Sequence, residues 1–397
     1  MALFLLAFVG ACQVLALISP FRELLVGARY LSENPLAMVL RAGSFFVPLS
    51  TQDAHAEAMR PWAWLPRVVA FGSLAVSVHL VGRALTASAG LTRAAVLGAA
   101  ATLLAGGLAE VAGLAIATWR SAVLFERDTD LGPLSFTTSL STVESFWTSD
   151  ALFFSFWLSM LVAQALALCY FVSLAAQINQ ASGSIDSYSS AGGLTSIVAA
   201  AGLREPIVRD VPGVATKLAV LGITPVLAVA FLGGADRFTT PQSLSSVSLV
   251  DALADYVLYL KLRPIPPMGE FGQQVVTTEQ WLISAALAAL FIVVLWLLLR
   301  FVMAGYGSPE RTSGVAVLVT AWGVTILVGA GIAVVDTVAT STAAAIVTPA
   351  LESFFLRYLQ GALVDGMRFG VAWGWLVGLM VLVGYKRIRI PAVALSS

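Results

Sequence analysis

Charge is scarce in this sequence. Asp, Glu, Lys and Arg together make up 11% of its 397 residues, where an average soluble domain carries about a quarter. With 59% apolar residues and a mean hydropathy of +0.90, the chain cannot furnish a water-exposed surface, and composition places it in lipid. Net charge is zero, so the basic excess expected of a nucleic-acid partner is missing. Histidine is limited to His55 and His79, too few for a diheme site held by a helix bundle. Cysteine is limited to Cys12 and Cys169, both inside apolar runs. No CxxC and no His/Cys cluster exists, so neither an iron–sulfur nor a zinc site can be built from this chain alone. Lysine occurs only at 217, 261 and 386. The dominance of arginine fits a GC-rich genome and carries no mechanism.

What remains is a series of long apolar runs. A spanning helix needs about 20 mostly apolar residues. That length predicts spans at 1–18, 67–87, 93–118, 150–176, 213–234, 279–305, 312–334 and 367–388. The expected fold is therefore an all-α polytopic membrane protein of about eight transmembrane helices, forming a single transmembrane domain over 1–397 with interfacial helices in its long loops. The first run lacks a basic n-region and a small-residue cleavage site before Pro20, so it reads as a helix rather than a signal peptide. The stretch "LAMVLRAGSFFVPLS" (36–50) is short and holds Arg41 and Pro48, which favours a re-entrant or interfacial segment. Two further stretches, 248–262 and "PALESFFLRYLQGALVD" (349–365), carry apolar residues at helical spacing and read as helices along the interface. Trp62, Trp64 and Trp147, near helix ends, suit the aromatic belt. Lys and Arg divide almost evenly between the two sides, which leaves orientation open, and no internal repeat of the transporter kind is visible.

Ionisable groups inside a membrane are costly and are functional candidates by default. Arg83, Lys217 and Arg300 lie near the ends of their runs, where a long side chain can snorkel to the interface. Lys217 is also within reach of Asp210, one to two helical turns away. Glu110 is different. In "LLAGGLAEVAGLAIATW" it is flanked on both sides by uncharged residues, too far from either end to reach water easily. Isolated in hydrocarbon it would be neutral. Two readings stand open for it: a carboxyl that carries protons when water reaches it, or a neutral carboxyl hydrogen-bonded to a neighbouring helix. Gly106, Gly107 and Gly113 give its helix small faces for close packing.

Several stretches, taken in order, carry a resemblance. "GSLAVSVHLVGRA" from Gly72 is similar to a family pattern S-L-A-V-Y followed by Gly-Trp. "AAVLGAAATLLAGGLAEVAGLAI" is similar to L-G-A-L-R-A-V-A-Q-x-I-x-Y-E-V-x-L-A. "LSFTTSLSTVESFW" holds an S-F-T stretch, and "FVSLAAQINQA" (171–181) is similar to F-I-S-x-L-A-E-T-N-R-A. "LAVAFLGG" and "VLWLLLRFVMAGYGSPERTSGVAVLVTAWGV", with Arg300 and Trp322, follow later helices of the same family. Together, over 67–334, they resemble the NuoH-type membrane subunit of respiratory complex I and its relatives in membrane-bound nickel–iron hydrogenases. Residues 335–397 then form a C-terminal extension, expected as an interfacial segment and a last helix.

The resemblance implies a subunit that anchors a soluble redox arm to ion-translocating, antiporter-like membrane subunits, in a bacterial cytoplasmic membrane. It implies no cofactor within this chain and a quinone at the interface with partners. The partner- or quinone-side positions are Gln177, Asn179, Gln180, Arg22, Glu23 and Arg300; the proton-relay candidates are Glu110, Asp186, Lys217 and Asp210. Departures from the family run in one direction. The signature glutamate is Gln177, the arginine after the asparagine is Gln180, the acidic loop has become Ser187-Tyr188-Ser189-Ser190, and a helix glutamate falls near Thr216 or Lys217. Amides and serines order water but cannot hold the charge that couples redox chemistry to proton entry. The expected function is thus a subunit of an energy-converting assembly, itself without catalytic residues or metal, whose acidic path is largely degenerate. The alternative is a stand-alone channel or transporter with Glu110 and Lys217 along its path.

Overall fold

The computed structural model describes residues 64–84, 91–127, 213–233, 278–306, 313–345 and 352–387, with Ala11 and the helical residues 155, 156 and 158–160. The long described segments form six helices: α1 (Trp64–Ala84), α2 (Leu91–Arg127), α3 (Val214–Gly233), α4 (Thr278–Met303), α5 (Gly314–Ala345) and α6 (Glu352–Arg387). Each overlaps one of the expected apolar runs, and α2 continues past the expected end at 118 to Arg127. Among the described residues four helical stretches are long and apolar enough to cross a membrane: Thr92–Gly113, Leu282–Met303, Gly314–Ala339 and Ala362–Arg387. The expected spans at 1–18 and 150–176 and the short segment 36–50 lie largely or wholly outside the described residues.

Antiparallel order follows from the packing. On α5 and α6, Leu318 meets Gly378, Trp322 meets Gly374, Ile326 meets Gly370 and Gly329 meets Gly366. Ascending numbers on one helix meet descending numbers on the other. The same holds for α2 and α6, where Gly107 packs on Val371 and Glu110 reaches Arg368. It holds again for α3 and α6, where Leu218 lies at Gly384 and Gly222 at Val381 and Val377. Arg93, at the start of α2, meets Phe301 and Gly305 at the end of α4. Helix α1 packs on α2, and the six residues between them are too few to span the length of either helix for a parallel arrangement. Helices α2, α3 and α5 therefore run one way, and α1, α4 and α6 the other.

Helix α5 is the centre of the bundle, packing on α1, α2, α4 and α6. Its tightest partner is α6, and the reason is compositional. Gly366, Gly370, Gly374 and Gly378 recur every fourth residue along one face of α6. A Cβ at Gly378 would lie 2.7 Å from the carbonyl oxygen of Leu318, and one at Gly366 or Gly370 would fall inside the backbone of α5. Glycine at this spacing lets two backbones approach until dispersion contacts replace side-chain packing, the main source of helix adhesion where lipid removes the hydrophobic drive. The Trp322 indole Nε1 donates to the Val371 carbonyl at 3.1 Å and ties the pair further.

Helix ends are closed by specific contacts. Gly213, with φ at +86°, makes the turn into α3 that a residue with a Cβ rarely adopts. The Arg93 Nε donates to the Phe301 carbonyl at 2.8 Å, and its guanidinium lies 4.6 Å from the centre of the Phe301 ring. This places a cation on the last turn of α4, where the helix carbonyls are exposed and the dipole is negative. Gly305 makes room, since a Cβ there would sit among the Arg93 side-chain atoms. In the α4–α5 turn, the buried Tyr306 hydroxyl bonds Thr320 Oγ1 and approaches the Ala316 carbonyl at 3.4 Å.

Two differences from the sequence reading concern the C-terminal extension. Helix α5 continues past 334 to Ala345, and α6 is one helix from Glu352 to Arg387 where an interfacial segment (349–365) and a separate span (367–388) were expected. Asp336, Arg357, Asp365 and Arg368 depress the hydropathy of these stretches without interrupting the backbone's helix. At about 1.5 Å per residue, α2, α5 and α6 are all longer than the hydrocarbon layer. Helix α6 packs on α5, α3 and α2.

Candidate functional site: a buried charge pair between α2 and α6

Glu110 sits on α2 with 2% of its side chain exposed. Its flanks explain the position. Ala109 is fully buried beside it, and Gly107, one turn earlier, faces Val371 so closely that a Cβ would collide with that side chain. The small residues bring α6 near enough for Arg368 to reach across. Arg368 Nε donates to Glu110 Oε1 at 2.9 Å, and the Arg368 side chain is 10% exposed. The pair joins residues 258 positions apart in sequence. Beside it, Phe369 meets Phe291 of α4 edge-on, with ring centres 5.4 Å apart. A charge-assisted bond thus lies in an apolar setting, where it is at once strong and costly to break.

A second carboxylate approaches the same guanidinium. Asp365 Oδ1 lies 3.6 Å from an Arg368 terminal nitrogen, one helical turn earlier on α6, with 57% of its side chain exposed. Arg368 therefore stands between a buried carboxylate and an exposed one. The sequence left two readings open for Glu110, a carboxyl that carries protons or a neutral carboxyl hydrogen-bonded to a neighbouring helix. In the structure it is bonded to a neighbouring helix, and the partner on α6 is a cation, Arg368, which the sequence reading did not single out. It begins the last apolar run, where an arginine passes for an ordinary interfacial anchor.

The other expected site residues divide in two. Lys217 and Arg300 lie on α3 and α4, exposed, at the end of the bundle opposite to Asp365, so they do not converge on Glu110. Arg300 lies over the Trp296 ring, 5.6 Å from its centre. Asp186, Asp210, Gln177, Asn179, Gln180, Arg22 and Glu23 lie outside the described residues. Among the described residues no three His, Cys, Asp or Glu side chains are grouped closely enough to hold a metal ion. Chemically, the arrangement offers a fixed cation between two carboxylates of different exposure. That can hold helices in register, and it can also carry charge if Glu110 exchanges its partner.

Compared with known proteins, the chain matches no family model, no curated protein and no solved structure.

Proposed function

We propose that this protein is an integral membrane subunit of a complex I-like or hydrogenase-like energy-converting assembly, in a bacterial cytoplasmic membrane. In this reading it anchors a soluble redox arm to antiporter-like, ion-translocating membrane subunits. The redox centres belong to those partners, and a quinone binds at the interface with them. The support is the ordered series of NuoH-like stretches over 67–334, in which Glu110 stands at the glutamate of the family's Y-E-V pattern. The observation that carries it furthest is the Glu110–Arg368 pair, an ionic contact inside a bundle of apolar helices. Such a pair adds little to stability over a well-packed apolar core, so its presence favours a role in moving charge.

One observation favours a second reading, a stand-alone channel or transporter. The counter-charge of Glu110 comes from this chain's own α6, so no partner subunit is needed to supply it.

Replacing Glu110 by Gln tests the relay role. In the native membrane, Glu110→Gln should abolish coupled ion transport while the assembly remains intact. Unchanged coupling in that variant would leave Glu110 a scaffold residue.

A further inference from the structure

Glu110 is not equally distant from the two ends of the bundle. Toward the end where α2 begins, about 25 Å of helix at about 1.5 Å per residue separates it from Arg93, and no ionisable residue falls between them. Helix α6 carries none between Arg368 and Tyr385, α4 none between Glu279 and Arg300, and α5 none before Asp336. Toward the other end, where α2 finishes and α6 begins, ionisable residues continue. Asp365 lies one turn out from Arg368 on α6, and Arg357 follows two turns further along the same i, i+4 row, with Gly361 between them. Ala333 of α5 packs at Gly366, which puts Asp336 one turn beyond that contact. Arg67 at the start of α1 and Glu279 at the start of α4 stand at that end too.

Two contacts join this end to Glu110. The Asp365 side chain is 57% exposed, and its Oδ1 lies 3.6 Å from a terminal nitrogen of Arg368. The Glu110 side chain is 2% exposed, and its Oε1 lies 2.9 Å from Arg368 Nε. Both acids therefore touch one rigid, planar guanidinium. Their contacting oxygens are at most about 9 Å apart, a gap that one or two water molecules span. Arg368 keeps its proton throughout, so it fixes the spacing of the acids and leaves proton transfer to them. An exposed contact such as Asp365–Arg368 adds little to stability, while an ionisable group within a span is by default a functional candidate.

We infer that Asp365 is the proton entry to Glu110: protons arrive from the end where α6 begins, are held by Asp365 and pass across the Arg368 fork to Glu110. The inference rests on the relay reading of Glu110 and adds to it a side of access and a second acid. A proton that Asp365 takes from water goes to the Glu110 carboxylate and leaves Asp365 ionised for the next. Arg368 is a positioning residue and carries no proton between them. Asp365 falls in the stretch 335–397, beyond the segments that carry the family resemblance, so the resemblance does not supply this residue.

Coupled proton uptake in native membranes, followed with a pH-sensitive dye, tests this with and without added acetate. Asp365→Asn should slow uptake about tenfold or more, and Asp365→Glu, which keeps the acid, should stay close to the unaltered chain. Acetate, a small weak acid able to deliver the proton itself, should restore the Asp365→Asn rate and leave Glu110→Gln inactive. A full rate in Asp365→Asn beside an inactive Glu110→Gln would overturn the entry role and leave the relay standing. A slowed Asp365→Asn that acetate does not restore would also overturn it, since that is how a purely structural residue behaves. Full uptake in Glu110→Gln would remove the relay, and this inference with it.

Discussion

Removing one partner of the Glu110–Arg368 pair should cost far more than removing both. At 2.9 Å the attraction between Arg368 Nε and Glu110 Oε1 is worth about 6 kcal/mol gross with an effective dielectric of about 20. Desolvation of the two ions offsets much of it, so the pair contributes little net stability, yet a single truncation leaves its partner without that counter-ion. Arg368→Met should therefore destabilise the bundle by about 3–5 kcal/mol. Glu110→Leu should cost less, since Asp365 still faces Arg368 across 3.6 Å; that exposed contact is worth at most about 1 kcal/mol. The double variant Glu110→Leu/Arg368→Met should lie within about 1–2 kcal/mol of the unaltered protein, giving a coupling energy of about 3 kcal/mol or more. Reversible unfolding in mixed micelles measures all four corners of the cycle. Single-variant costs that simply add in the double variant would refute the reasoning, because additivity means that the two side chains do not depend on each other.

The glycine face of α6 gives a sharp contrast: Gly370→Leu should cost about 3 kcal/mol or more by forcing α5 and α6 apart. By contrast Gly331→Ala, which meets nothing within 4 Å, should be neutral or stabilising by up to about 1 kcal/mol, both read in the same unfolding assay. Tyr306 should resist ionisation, because burial pushes its phenol well above the ordinary range, an effect the Thr320 hydrogen bond only partly offsets and the nearby Tyr385 reinforces. The folded state thus holds that proton more tightly than the unfolded chain. Its contribution to stability is complete below the ordinary phenol value near 10 and falls as pH rises above it. Tyr306→Phe should flatten the loss of stability above that pH and leave the tyrosinate absorbance near it unchanged.

Position was more legible in the sequence than contact. Every described helix overlaps an apolar run because spanning length alone defines the run, and Gly107 was read correctly as a close-packing residue. Where the chain alternates charge with apolar residues, as around Asp336 and from Arg357 to Arg368, hydropathy falls although the helix continues. Hydropathy reports the solvent of a segment, while helix continuity depends on the backbone's own hydrogen bonds, so α5 and α6 came out too short. The pairing of Glu110 with Arg368 has no local sequence signal, since its partners are joined only by the fold. A weaker signal was present and went unread. The fourfold spacing of Gly366, Gly370, Gly374 and Gly378 marks a helix that needs a close partner, and Arg368 lies within that stretch. Such a position makes it a residue carried into the bundle rather than an anchor at its edge.

The central claim, membership of a multi-subunit energy-converting assembly, is tested most directly by what remains bound to the protein. The tagged chain would be purified from native membranes in a mild detergent and its companions quantified by mass spectrometry. The account predicts iron–sulfur or other redox subunits together with antiporter-like subunits in fixed ratio to this chain. A clean homomer that moves ions when reconstituted in liposomes would contradict it and establish the stand-alone reading instead.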